Sequence, residues 1–368
     1  MYNSPRIDDL EKKQLKNYII NGNFDFWQRN TSFTGAFVNF DFTSDRWRYQ
    51  ENSAVGGVTI AQSSTVPPNG KSKYSTLIVA TTGLGDKSGW LSNELGYLAT
   101  YIEASFSVGL KGKDFKVGFW IQSAKAGNIR INMHSHSDGN PVSDYAFETS
   151  VIINQANTWE FKTFDVPATP SNLASDNGRG ITLSFLTASG SSLHSSNADD
   201  EWVLDDATRG KAVDTNLLEN TNDYIRLSQV QLVESEVELE DDSFQLAGGN
   251  WFGEYDLCKR YFQKSWALAL PVGSATNEGC VGITDCDSTS VLASTNISFV
   301  PVMRTSPAMA SYSHSGLIGR ATRQANSTLR SGSGNFIEAS PRGCGRYQFG
   351  ASVATDPSRA HFAADAEL

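Results

Sequence analysis

Residues 115–136 read FKVGFWIQSAKAGNIRINMHSH. In the first half, Phe115, Val117, Phe119 and Ile121 alternate with Lys116, Gly118, Trp120 and Gln122. In the second, Ile129, Ile131 and Met133 alternate with Arg130, Asn132, His134 and His136. A period of two places each apolar set on one face of a strand and each polar set on the other. The Gly127-Asn128 pair between the runs carries the composition of a hairpin turn. The expectation is a hairpin with one face in a core and one face outward.

The same alternation recurs on both sides. Val58-Thr59-Ile60, residues 76–80, Gly89-Trp90-Leu91, residues 104–108, residues 158–166, residues 181–186 and residues 225–233 all read as strands. Pro67-Pro68-Asn69-Gly70 is a loop signal. Residues 93–101 read as a short helical or irregular connection. Residues 188–223 are a polar, Ser/Asn/Asp-rich insertion around Trp202, of the kind that runs over a surface. Charged residues make up 19% of the chain and hydrophobic ones 39%, a mix suited to turn-rich all-β structure. The 368 residues suffice for about two domains.

Upstream, residues 17–49 combine a turn signal, Asn21-Gly22-Asn23, with an apparent aromatic strand, residues 24–29, and a second short strand, residues 46–49. The stretch NGNFDFWQRNTSF followed by DRW resembles the opening of a carbohydrate-binding-module-like domain in many bacteriophage tail fibre and tail-tip proteins. Gln229-Val230-Gln231-Leu232, residues 257–265 (LCKRYFQKS) and residues 364–368 (ADAEL) agree with it in order. The resemblance implies a virion protein with a galactose-binding-like jelly-roll domain, assembled in the host cytoplasm and trimeric in the usual case. It identifies no ligand.

The domain reading follows. Residues 1–16 form an N-terminal arm, either mobile or docked on another virion protein. Residues 17–240 form a jelly-roll β-sandwich. Residues 241–265 form a linker and connector helix, with an amphipathic stripe over 253–264. Residues 266–368 form a smaller C-terminal β domain, a plausible trimerisation or recognition tip. The acidic run ESEVELEDD, residues 234–242, reads as a solvated boundary or a calcium site.

A formal net charge of −10 argues against a general nucleic-acid binder. No apolar run approaches the ~20 residues needed to span a bilayer, and the polar N-terminus lacks a signal-peptide core. Four cysteines, Cys258, Cys280, Cys286 and Cys344, lack metal-site spacing. Free thiols are the expectation, with a Cys280–Cys286 bridge the alternative.

Signals for chemistry are sparse. His134 and His136 point the same way on a strand, but no third metal ligand follows. No G-x-S-x-G elbow, P-loop or dinucleotide fingerprint occurs. The carboxylates Asp199, Asp200, Glu201, Asp205 and Asp206 admit three readings: solvation, calcium or glycoside hydrolysis. No cofactor is expected, with structural calcium left open. The outward face of the 115–136 hairpin is the candidate glycan surface. It offers the flat ring of Trp120 beside Lys116, Gln122, Arg130, Asn132 and His134, which can pair with sugar hydroxyls. The alternative is that a loop or second chain covers Trp120. The resulting expectation is a non-enzymatic phage fibre or tail-tip protein that binds host surface glycan as a homotrimer. A purely structural virion protein and a capsular depolymerase are the alternatives.

Overall fold

The computed structural model describes residues 16–35, 41–51, 57–83, 95–137, 144–170, 173–206, 208–236, 238–284, 291–330, 332–350 and 357–368. The chain is all-β: a jelly-roll sandwich followed by a smaller β domain, with two short α-helices among the described residues. Residues 1–15 of the N-terminal arm, the strand expected at Gly89-Trp90-Leu91 and Cys286 lie outside the described residues.

One sheet of the sandwich runs in the order β1 (Ser32–Gly35), β4 (Gly57–Ser63), β5 (Ser75–Thr82), β13 (Tyr224–Glu234), β7 (Phe115–Ser123) and β10 (Glu160–Val166). The facing sheet runs β12 (Trp202–Leu204), β9 (Tyr145–Ile153), β8 (Gly127–Ser135), β11 (Arg179–Ser189), β6 (Leu95–Glu103), β3 (Trp47–Glu51) and β2 (Asp41–Phe42). Alternate residues of both sheets meet in one core, including Val117, Phe119 and Ile121 from one side and Ile131, Met133 and Phe185 from the other. Phe119 meets Phe185 edge-on across the layers, with ring centroids 5.0 Å apart.

The expected hairpin is not there. β7 pairs with β10 and β13 in one sheet, and β8 pairs with β9 and β11 in the other. The link between them crosses from layer to layer. Both apolar sets do enter the core, so the face assignment holds while the pairing does not. Residues 95–101 are also strand, not helix or irregular chain.

Residues 24–29 form no ladder strand. Asn21 and Phe24 have φ of 58° and 57°, which folds the segment on itself. Phe24, Phe26 and Trp27 are all buried, so the alternation expected there fails. Instead the segment lies against the bulge of β13, where the pairing with β7 slips between Ser228 and Gln231. The Tyr18 amide donates to Leu232 O at 3.0 Å and the Val230 amide to Gly22 O at 2.9 Å. Gly22 is required at this approach, because a Cβ there would sit 1.9 Å from Val230 O.

The two helices are α1 (Ala104–Ser107) and α2 (Trp251–Lys259). Asn250 caps α2, its side chain accepting from the amides of Phe252 and Gly253 at 3.0 Å each. The helix stops earlier than the expected 264, and Tyr261 and Phe262 lie beyond it. Its buried Cys258, with Tyr261, packs on Ile20 and Phe26. The C-terminal sheet runs β14 (Phe262–Lys264), β21 (Ser358–Asp365), β15 (Val281–Thr284), β16 (Leu292–Ser298), β20 (Gly343–Phe349) and β19 (Gly334–Ile337). Its own core gathers Phe299, Phe336, Tyr347 and Phe362. Cys258, Cys280 and Cys344 are free thiols.

Candidate functional site

The six residues expected to form one glycan surface lie on two opposite outer faces of the sandwich. Trp120, Lys116 and Gln122 sit on β7, whereas Arg130, Asn132 and His134 sit on β8 in the other sheet. Each group is also covered. The segment after β13 folds back over β7. Leu239 packs at Gly118, and the Trp120 indole N–H donates to Asp241 O at 3.1 Å, leaving the ring 6% exposed. Part of the acidic run is therefore a strap over the sandwich: Leu239 is buried beneath it, while the carboxylates of Glu238, Glu240, Asp241 and Asp242 stay in solvent, as the solvated reading expects. Lys116 pairs with Glu238 at 3.0 Å, and Gln122 donates to Asn157 O at 2.9 Å.

The insertion covers β8 in the same way. The Arg130 guanidinium, 1% exposed, binds Asp214 at 2.9 Å and Asp199 at 2.7 Å. The Asn132 amide donates to Arg209 O at 2.9 Å. Burial, aided by the Arg209 charge, pushes His134 down to about 3, so it is neutral at physiological pH. Asp205 takes Arg209 at 2.8 Å. The carboxylates at 199 and 205 thus neutralise cations. Among the described residues no three His, Cys, Asp or Glu side chains converge as a metal site would need.

A cleft of about 390 Å³ lies elsewhere, between the sandwich and the C-terminal domain. The sandwich contributes Asp25, Trp27, Thr31, Gln62, Lys73 and Tyr74. The N-terminus of α2 contributes Trp251, and the chain after β14 contributes Leu268 and Ala269. Trp251 is 42% exposed, and its ring packs on Phe26 at 5.0 Å and on Phe252 at 5.3 Å. The Trp27 ring is fixed by its N–H donating to Phe24 O at 2.8 Å. The Gln62 amide donates to Asp25 O at 3.2 Å. Lys73 lies 5.1 Å from the Tyr74 ring centroid.

Asp25 is the unusual group. Its Oδ2 accepts from the Asn23 amide at 2.7 Å, while Oδ1 is buried with no hydrogen-bond donor. Burial pushes this carboxyl up to about 6, against the pull of Asn23 and Lys73. Behind it, Glu254 is fully buried and accepts from the amides of Asn21 at 2.5 Å and Gly248 at 2.6 Å. Burial raises it to about 7, and the Asp25 charge adds to the rise. None of the polar cleft residues was singled out from sequence. The available signal was Trp251 itself, which stands ahead of the apolar stripe with the exposed Phe252 beside it.

Three of the four segments that carried the resemblance, residues 17–49, 257–265 and 364–368, meet beside this cleft. Gln28 binds Asp45 at 2.8 Å and the Phe262 carbonyl at 3.0 Å. Arg29 binds Asp365 at 2.9 Å and lies 3.9 Å from the Phe262 ring centroid. Arg260 and Tyr261 both donate to Glu103 at 2.7 Å, which holds its carboxyl below the usual carboxylate range despite burial. Motifs distant in sequence thus build one polar joint between the two β domains.

No protein-family model matches the chain, and no curated protein matches it. Among solved structures it is similar to TmCBM61 in complex with β-1,4-galactotriose, at 15% identity and a TM-score of 0.27, over 60% of this chain and 99% of that one. It is similar to the CBM22-2 xylan-binding domain of Paenibacillus barcinonensis Xyn10C, at 12% identity and a TM-score of 0.30, over 55% and 99%. It is also similar to the enzymatically active domain of bacteriophage CBA120 tailspike protein 4, at 14% identity and a TM-score of 0.33, over 60% of this chain. The match spans only 21% of that tailspike domain.

Proposed function

We propose that the chain is a phage fibre or tail-tip component that binds a host surface glycan in the cleft between its two β domains and does not cleave it. The observation that carries this is the cleft's composition. A half-exposed indole, Trp251, stands with Tyr74 around a carboxyl group and an amide, Asp25 and Gln62. Flat rings cover the C–H faces of a sugar, and planar acceptors and donors take its hydroxyls. The placement at a domain boundary is a common one for ligand sites. The virion assignment rests on the ordered resemblance of the four motif segments to tail fibre proteins, and the homotrimer on the usual state of that family.

A glycan array probed with the wild type, Trp251→Ala and Gln62→Ala tests the reading. Selective binding by the wild type and at least tenfold loss in Trp251→Ala is the expected result. Equal binding by all three, or none, removes the cleft from consideration. A reducing-end assay on the bound polysaccharide is expected to stay at background. Rising reducing ends would instead favour a depolymerase.

A further inference from the structure

We infer that the junction cleft selects uncharged, hydroxyl-rich pyranosides and rejects sugars that carry a carboxylate. This rests on the glycan reading above. The wall of the cleft already contains one incompletely satisfied carboxyl group: Asp25 Oδ2 is taken by Asn23, and Oδ1 is buried without a donor. A second carboxyl, Glu254, lies behind it in the interior, close enough to feel the Asp25 charge. The one cation of the lining, Lys73, is solvent-exposed and set against Tyr74. Its attraction for an incoming anion is screened by water, whereas the repulsion from the mostly buried Asp25 carboxylate is screened less.

A sugar hydroxyl supplies what Asp25 lacks. The carboxylate turns about its last torsion, which is soft for a planar terminus, and presents Oδ1 to the donor. A uronate brings a second carboxylate up against Asp25 and supplies no additional donor there. The net charge of −10 works in the same direction at long range against polyanionic glycans.

The test uses the full chain and two oligosaccharides matched in linkage, one neutral and one oxidised at C6 to the uronate, titrated by calorimetry and by tryptophan fluorescence. The neutral sugar is expected to bind at least tenfold more tightly. Asp25→Asn is expected to narrow that ratio severalfold. Lys73→Gln is expected to weaken both sugars to the same degree and so to leave their ratio unchanged. If the uronate binds as tightly as its neutral partner in the wild type, the selectivity inference fails while the glycan reading stands. If binding of the uronate collapses in Lys73→Gln, Lys73 rather than Asp25 sets the charge preference and the inference is overturned. If neither sugar produces a cleft-dependent signal, both fail.

Discussion

Arg46, immediately before β3, forms an ion pair with Glu367, 321 positions later in the chain, and both side chains are buried. The same guanidinium donates to Tyr101 O at 2.7 Å and lies 3.5 Å from the Tyr261 ring centroid. A buried pair of this kind adds little net stability, since desolvation offsets the attraction, but it is unforgiving of losing one member. Glu367→Ala strands Arg46 in the interior. The expected loss is about 3–5 kcal/mol, read by urea denaturation. Arg46→Met with Glu367→Ala removes both charges and is expected to recover much of that loss. A double variant no better than the single would show that the pair is not the main term.

Glu254 gives the domain joint a pH dependence. Its carboxyl titrates near 7 in the folded chain, against 4.5 as its ordinary value. The folded state therefore keeps a proton that the unfolded chain has released, and this group's contribution to stability falls as pH rises from 4.5 through 7. A difference of that size corresponds to about 3 kcal/mol. Asp25 acts with the same sign below about 6. Neutral buried His134 acts with the opposite sign below its ordinary value of 6.5, so the overall curve is a sum. The readout is the difference between wild type and Glu254→Gln in melts from pH 5 to 8. That difference is expected to move in favour of the variant with rising pH. A pH-independent difference would place the Glu254 carboxyl at an ordinary value.

Period-two alternation told which side chains of β7 and β8 enter the core, because burial against a second layer is what the alternation records. It did not tell which strands pair. A short Gly-containing link serves a hairpin or a layer crossover equally, and here Gly127 packs against Thr215 of the distant insertion. That Trp120 points away from the core was legible. That Leu239 and Asp241 cover it was not, because the strap returns from far along the chain. The cleft was illegible for the same reason. Asp25 reads as the polar partner in an aromatic strand, and Trp251 as the first residue of a connector. Only the folding of residues 21–29 on themselves brings the two to one opening.

Gly22 is the residue on which that local fold depends most. An alanine Cβ would meet the Val230 carbonyl oxygen, a backbone atom that has no rotamer to escape into. Gly22→Ala is expected to destabilise the sandwich by about 1–3 kcal/mol, in the range of core overpacking. The Val230 amide, now hydrogen-bonded to Gly22 O, should exchange faster with solvent deuterium than in the wild type. Unchanged protection at Val230 together with unchanged stability would mean that the two segments can part freely.

Trp120 separates a structural aromatic from a binding one. Its ring is covered by the strap and lies 5.8 Å from the Phe161 centroid, and its N–H is committed to Asp241 O. Truncation to alanine empties that volume, and costs of about 3–5 kcal/mol are usual for such a change. The strap loses its anchor at the same time, although Asp241 O still accepts from the Asn69 amide at 2.6 Å. Trp120→Ala is therefore expected to melt earlier and to be cut by protease within residues 238–242. Trp120→Phe keeps most of the packing and loses only the hydrogen bond, so it should fall between the two. Glycan affinity, corrected for the folded fraction, should stay at the wild-type value in both variants, while Trp251→Ala loses it even in its folded fraction. Loss of affinity in a fully folded Trp120→Phe would mean that the strap lifts and that the outer face of the β7 sheet meets ligand after all.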